Sequence, residues 1–257
     1  MEKESSEHSV RAIERALQIL DCFDARNPDL GLTEIAQRVG LHKATTHRIV
    51  ATLLNRGYLV RSPDNQKYRL GLRLASLGSL VTSQMNLRRD SLPYLKQLVE
   101  RFGETSDLSI FDNGEVLYVE VLRSNHALNI AAAIGQRLPL HCTASGKVFL
   151  AHMPPAERGK YLVPPLLSFT AKTITSPEKL GLQFQEILDK GYGLDDEEME
   201  VGIRAISAPI FNQEGKAIAA LSIPSPISRM PDQRILEVAA GLMETTLLCS
   251  RRQGWNG

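Results

Sequence analysis

In the N-terminal part of the chain, apolar residues recur every three or four positions, broken by short polar turns. Ile13, Leu17 and Leu20, with Val10 before and Phe23 after, predict a helix that Ser9 can cap. Asn27, Pro28 and Asp29 end it. A short second helix is expected from Thr33, an N-cap candidate, with Ile35, Ala36 and Val39 as its apolar positions. Gly40 and Leu41 make the turn, because glycine accepts the left-handed conformation cheaply. A third helix is expected over about residues 42–55. At about 100° per residue, Thr46, Ile49, Val50 and Leu53 fall on its buried side, and Ala44, Arg48, Ala51 and Asn55 point away.

Alternation then replaces the helical period. Residues 58–61 and 67–70 read as two short strands around Ser62, Pro63, Asp64 and Asn65, a dense group of turn formers. Leu72, Leu74, Leu77, Leu80 and Val81 mark a connecting helix, and a further one runs through Leu92, Leu95, Leu98, Val99 and Phe102, with Pro93 expected in its first turn. An amphipathic connector of this kind suits packing against a second copy; packing within the domain explains its apolar residues equally well.

Beyond Ser106 the texture is mixed. Residues 108–111 and 116–121 flank Asp112, Asn113 and Gly114, a hairpin signal. Residues 128–134 read as another strand. Ser176 and Pro177 open a helix carrying Leu180, Phe184, Ile187 and Leu188, closed by Gly191. Residues 205–211 and 217–223 pair across a polar turn. A final helix over about residues 232–250 is expected to bury Ile235, Val238, Ala239, Leu242, Met243 and Leu247. The fold class is therefore mixed α/β: an N-terminal winged helix-turn-helix followed by an α+β domain with a largely antiparallel sheet. The expected division is residues 1–71 for the first domain, 72–90 for a helical linker and 91–257 for the second.

Composition changes this picture little: 43% hydrophobic and 23% charged is ordinary for a globular chain. No apolar run long enough to span a membrane exists, and the polar opening MEKESSEHSV lacks the apolar stretch of a secretory signal. Three widely spaced cysteines, Cys22, Cys142 and Cys249, read as free thiols in a reducing cytoplasm. Charge changes it more. Residues 30–90 carry ten Lys or Arg against three acids, although the whole chain is only +1. A basic segment beside a helix-turn-helix suits a polyanion. On charge alone, a solvated surface explains it equally well. The candidate DNA contacts are Thr33, Lys43, Ala44, Thr45, His47, Arg48 and Thr52 on the helices, and Arg61, Lys67 and Arg69 on the wing: small residues for close approach, hydroxyls and cations for phosphates, arginine for a guanine edge.

In the second domain, residues 138–147 (LPLHCTASGK) place a helix start, capped by Thr143 or Ser145, after a tight turn; such a start offers free N–H groups to an anion. The SGK end is not a phosphate loop, since His141 and Val148 stand where Gly and Ser/Thr are needed. Cys142 beside His141 lacks an orienting acid, and no catalytic constellation is visible. Asp195–Glu198 reads as a capped, solvated acidic turn, not a metal loop, and the six histidines do not cluster. Neither a metal nor a cofactor is expected.

The segments SVRAIERALQILDCF, LTEIAQRVGLHKATTHRIVATLLNRGYLVR and KYRLGLRLASLG resemble the DNA-binding domain of the IclR family of regulators. The stretches around residues 138–147, 191–211 and 219–229 resemble its effector-binding domain. This resemblance implies a GAF-like second domain that binds a small organic molecule, often a carboxylate. It carries the pocket over to Leu128, Ile130, Thr143, Ala144, Ser145, Asp195, Ala205, Ser222 and Pro224. Four positions depart from the commoner family form. His42 replaces a capping serine, Thr46 a larger aliphatic, Ala205 a cysteine and Pro224 a serine. The expectation is a cytoplasmic, non-enzymatic transcription regulator, a homodimer or dimer of dimers, reading a double-stranded DNA operator under control of a metabolite. A DNA-binding oligomerisation module without ligand control is the alternative.

Overall fold

The computed structural model describes residues 10–24, 26–62, 66–84, 86–126, 130 and 132–257. The chain divides into two compact units, Met1–Gln84 and Met85–Gly257.

In the first unit, α1 (Arg11–Leu20), α2 (Leu32–Arg38) and α3 (Lys43–Asn55) precede a two-stranded antiparallel wing, β1 (Leu59–Arg61) and β2 (Tyr68–Leu70), and then α4 (Leu72–Gln84). Gly40, at φ +63°, makes the α2–α3 turn. Ile19, Phe23, Leu30, Ile35, Val50, Leu53, Leu59 and Tyr68 form the core. Leu30 and Tyr68 exchange backbone hydrogen bonds of 2.9 and 2.8 Å, which ties the α1–α2 connection to the wing. Two helix starts differ from expectation. Val10, not Ser9, precedes α1, and Ser9 lies outside the described residues. Gly31, not Thr33, is the N-cap of α2, because Glu34 reaches back to accept the Gly31 N–H at 2.6 Å.

The second unit is a six-stranded antiparallel sheet in the order β5-β4-β3-β8-β7-β6. Its strands are β3 (Ser106–Asp112), β4 (Glu115–Leu122), β5 (Arg137–Pro139), β6 (Gly193–Asp196), β7 (Ile203–Phe211) and β8 (Ala217–Pro226). One face packs on α5 (Asn86–Phe102) and α9 (Asp232–Arg252) through Leu95, Leu98, Leu108, Ile206, Leu221, Ile223, Val238 and Leu242. The other packs on α6 (Ala144–His152) and α8 (Pro177–Lys190), with the short α7 (Pro155–Arg158) between them. Ser176 caps α8, and Gly191 closes it at φ +80°. In α9, Leu247 is exposed and not buried as expected, because Thr246, Cys249 and Ser250 form the packed face of its last turns.

Two further expectations are corrected. Pro93 lies inside α5, not in its first turn; burial of Leu95, Leu98 and Phe102 offsets the lost backbone bond. Of residues 128–134, those that the structure describes form no strand. The edge partner of β4 is β5, with Leu117 opposite Arg137 and Glu115 opposite Pro139.

Candidate functional site

The helix-turn-helix presents its outer face as the period required. In α3, Thr46, Val50 and Leu53 are buried, whereas Lys43, Ala44, His47, Arg48 and Thr52 are exposed and Thr45 is half-buried. Thr46 satisfies its buried hydroxyl by donating to the His42 carbonyl at 3.2 Å, and His42 makes no side-chain cap. Thr33 is exposed in the first turn of α2. On the wing, Arg69 is exposed, Arg61 donates to Gln66 at 3.0 Å and lies over the Tyr68 ring, and Lys67 pairs with Glu34 at 3.4 Å. That exposed pair is weak, so it does not withdraw Lys67 from a polyanion. α1 holds a surprise: Ile19 is its buried residue, whereas Ile13 and Leu17 are 59% and 55% exposed. Together with Arg48, Thr52 and Tyr58 they line a groove of ≈770 Å³ between α1 and α3.

In the second unit, period-2 alternation sorts the strands of the sheet centre. Leu108, Ile206, Leu221 and Ile223 face α5 and α9. Asp107, Ala205, Ser222 and Pro224 therefore face the α6 side, where they line a cavity of ≈130 Å³. Asp107 stands opposite Ser222, and Ala205 opposite both Pro224 and Asp195. Thr143 caps α6 and accepts the Gly146 N–H at 3.2 Å; Ala144 and Ser145, in the first turn, also border the cavity. The turn is tight because Gly146 permits it: a Cβ there would meet the Leu140 carbonyl oxygen at 2.3 Å.

All the pocket residues carried over by resemblance line this cavity except Leu128, which lies outside the described residues. The structure adds Asp107, Tyr118, Ala132, Gln136, Leu138, Met199, Glu200 and Ile203. Asp107 was visible in the sequence as an acid beside a hydrophobic strand, but nothing local marked it out.

Asp195–Glu198 is not the solvated turn expected, since Asp195 and Glu198 are both buried. Asp195 Oδ1 accepts the Glu198 and Met199 N–H groups at 2.8 and 3.4 Å. The Glu198 carboxylate pairs with the buried Lys147 ammonium, which also donates to Gln183 at 2.9 Å. Thr173 donates to the Glu198 carbonyl at 2.6 Å. The acidic turn is thereby clamped to α6. Burial pushes the Asp107 carboxyl up to about 8 and that of Asp195 up to about 7. The Ser222 hydroxyl faces the Asp107 carboxyl and offsets part of that rise, although its own proton goes to Ser207 at 3.1 Å, leaving both Asp107 oxygens without an aligned donor. Cys142 and His141 lie in the turn before α6, not on a strand. Burial pushes the Cys142 thiol up to about 12, and His141 Nε2 meets the Leu167 carbonyl at 2.8 Å. Such a thiol is inert. No cluster of potential metal ligands occurs among the described residues, and none of their helices is long and apolar enough to cross a membrane.

The profile of the IclR helix-turn-helix domain matches residues 12–63, and that of the bacterial transcriptional regulator IclR C-terminal domain matches residues 79–251. The chain belongs to the IclR family. It is 36% identical over 247 residues to the HTH-type transcriptional regulator XynR of Escherichia coli (strain K12), covering 96% of this chain and 98% of that one. It is 32% identical over 234 residues to the transcriptional repressor IclR of the same organism, covering 90% and 85%. Among solved structures, an IclR transcriptional regulator from Alicyclobacillus acidocaldarius superposes with a TM-score of 0.85 at 27% identity, covering 96% of this chain and all of that one. An IclR homologue from Microbacterium hydrocarbonoxydans, complexed with 4-hydroxybenzoate, has a TM-score of 0.81 at 29% identity, covering 94% and 99%. This IclR-family chain is a transcription regulator and not an enzyme.

Proposed function

We propose that this regulator binds a palindromic or directly repeated operator through α3 and the wing, as a homodimer or dimer of dimers, and that a small carboxylate in the second-unit cavity tunes its affinity. The observation that carries the effector reading is the cavity at the α6 N-terminus, whose walls come from all six strands of the sheet and a helix start. Free N–H groups in the first helical turn and the helix dipole favour an anion there. The carboxylate bound by the Microbacterium homologue supports the same reading. An effector contacting several elements at once prefers one arrangement of them, and only such differential affinity can alter operator binding.

On the DNA side, Lys43, Ala44, Thr45, His47, Arg48 and Thr52 enter the major groove, with Thr33, Arg61, Lys67 and Arg69 reaching the backbone. Footprinting on fragments around the protein's own gene should reveal a discrete protected site. Arg48→Ala should weaken that protection by about ten- to a hundredfold, the loss of one good base or phosphate contact. Diffuse protection that Arg48→Ala leaves unchanged would remove the sequence-reading role.

A further inference from the structure

We infer that α1 is a further DNA-contacting element, with Arg11 and Arg15 holding backbone phosphates beside the recognition helix. This rests on the operator reading above and adds to it a surface that α3 and the wing do not supply.

The first argument is unneutralised charge. Arg11 and Arg15 of α1 and Arg48 of α3 line the same groove. Among the described residues, none of these three side chains makes an ion pair or a hydrogen bond. Glu14, the acid within α1, is exposed and does not line the groove. Arginines of the second unit are treated differently: Arg137, Arg204 and Arg229 each pair with one or two carboxylates. Like charges gathered on one groove repel, so a polyanion is the partner that neutralises them. A count along the chain hides this feature, because residues 1–29 hold four Lys or Arg against seven acids. Only the packing of α1 on α3 brings two of those cations beside the reading face.

The second argument is geometry. Arg11 and Arg15 stand four residues apart, so they rise from one face of the helix, about 6 Å apart along its axis. That spacing serves successive phosphates of a single strand. Their groove neighbours Thr45, Arg48 and Thr52 are α3 residues proposed above to meet DNA, so a strand that α3 reads passes along this wall. Arg15 is half-buried, and a stem held against the groove has less freedom to lose when its guanidinium binds. The start of α1 is open as well. Val10 supplies no side-chain cap, which leaves first-turn N–H groups and the positive end of the helix dipole to a phosphate oxygen. A protein segment seated in the groove would compete with DNA for Arg48.

The test uses the full chain and fluorescence anisotropy with two labelled duplexes: a fragment from upstream of the protein's own gene, and an alternating dA–dT duplex of the same length. Arg11→Gln combined with Arg15→Gln should weaken binding to both duplexes alike, by about tenfold or more at ~0.15 M salt, and should reduce the log–log salt slope by about 2, one for each lost phosphate contact. Arg11→Lys combined with Arg15→Lys keeps the charges and should restore most of that slope. Arg101→Gln removes a cation of the second unit, one paired with Glu244, and should leave the slope at its parent value. Circular dichroism verifies that each variant is folded. An unchanged slope in the glutamine pair, an equal loss from Arg101→Gln, or a loss confined to one duplex overturns the phosphate contact. So does a changed sedimentation coefficient of the glutamine pair without DNA, which would mean that a second copy covers the groove. If the glutamine pair changes nothing while Arg48→Ala still weakens binding to the own-gene fragment, the inference for α1 fails and the operator reading stands. No binding to either duplex overturns both.

Discussion

Two buried charged groups make different demands on the folded state. Burial pushes Asp107 up to about 8, against ~3.9 in an unfolded chain. The folded state holds this proton more tightly, so the stability it supplies is complete below pH ~4 and is lost as pH rises through about 8. Asp107→Asn cannot ionise, so its melting temperature should gain on that of the parent protein between pH 5 and pH 8; a constant difference would show that Asp107 titrates normally. Lys147 and Glu198 neutralise each other inside the protein, 1% and 5% exposed. Lys147→Met strands the Glu198 carboxylate, whose second oxygen already lacks a partner. Urea denaturation should show a loss of about 3–5 kcal/mol, and adding Glu198→Gln should recover part of it. A loss under 1 kcal/mol would mean that the pair is open to water.

At the scale of elements, periodicity found the helices but did not decide their faces. α1 and the residues just after it carry two apolar stripes, one through Ile13 and Leu17 and one through Ile19 and Phe23. Only the second packs in this unit's core, because α3 and the α1–α2 connection meet it there. Apolar spacing is the same for a stripe that packs internally and one that does not. The missed strand β5 shows a related gap: it consists of three residues held by the edge of β4, and pairing partners far apart in sequence leave no local pattern. Pro93 misled for the opposite reason, since local chemistry argued for a helix start and tertiary burial overrode it. Its exposed ring interrupts α5, so Pro93→Ala should raise stability by about 1–3 kcal/mol. An unchanged denaturation midpoint would show that the helix has already adapted to the proline.

For the whole molecule, charge is the property that the chain distributes most unevenly. The +7 of residues 30–90 belongs mainly to the helix-turn-helix and wing, in a protein of net charge +1. Operator affinity should therefore fall steeply with salt, with one counterion's worth of slope for each phosphate contact. Arg69→Ala, on the exposed wing, should weaken binding to all sequences alike and reduce the log–log salt slope by ~1. A base-specific loss with an unchanged slope would move Arg69 from the phosphates to a base edge.

The sequence alone determined the helix-turn-helix, the hairpins, the α8 cap and the family, and narrowed the α6 cap to Thr143 or Ser145, because these rest on short-range rules: helical period, turn chemistry, capping and motif spacing. Through the family resemblance it also marked half of the described residues of the cavity, since the Thr143–Ser145 turn and the β6, β7 and β8 positions lie in recognisable stretches. Only the tertiary structure decided that Asp107 and Tyr118 belong to the same wall, that the acidic turn is buried, and that Lys147 is its counter-charge. Those facts follow from which strands pair and which helix covers them. Burial and unmet hydrogen bonds exist only once segments distant in sequence have been brought together.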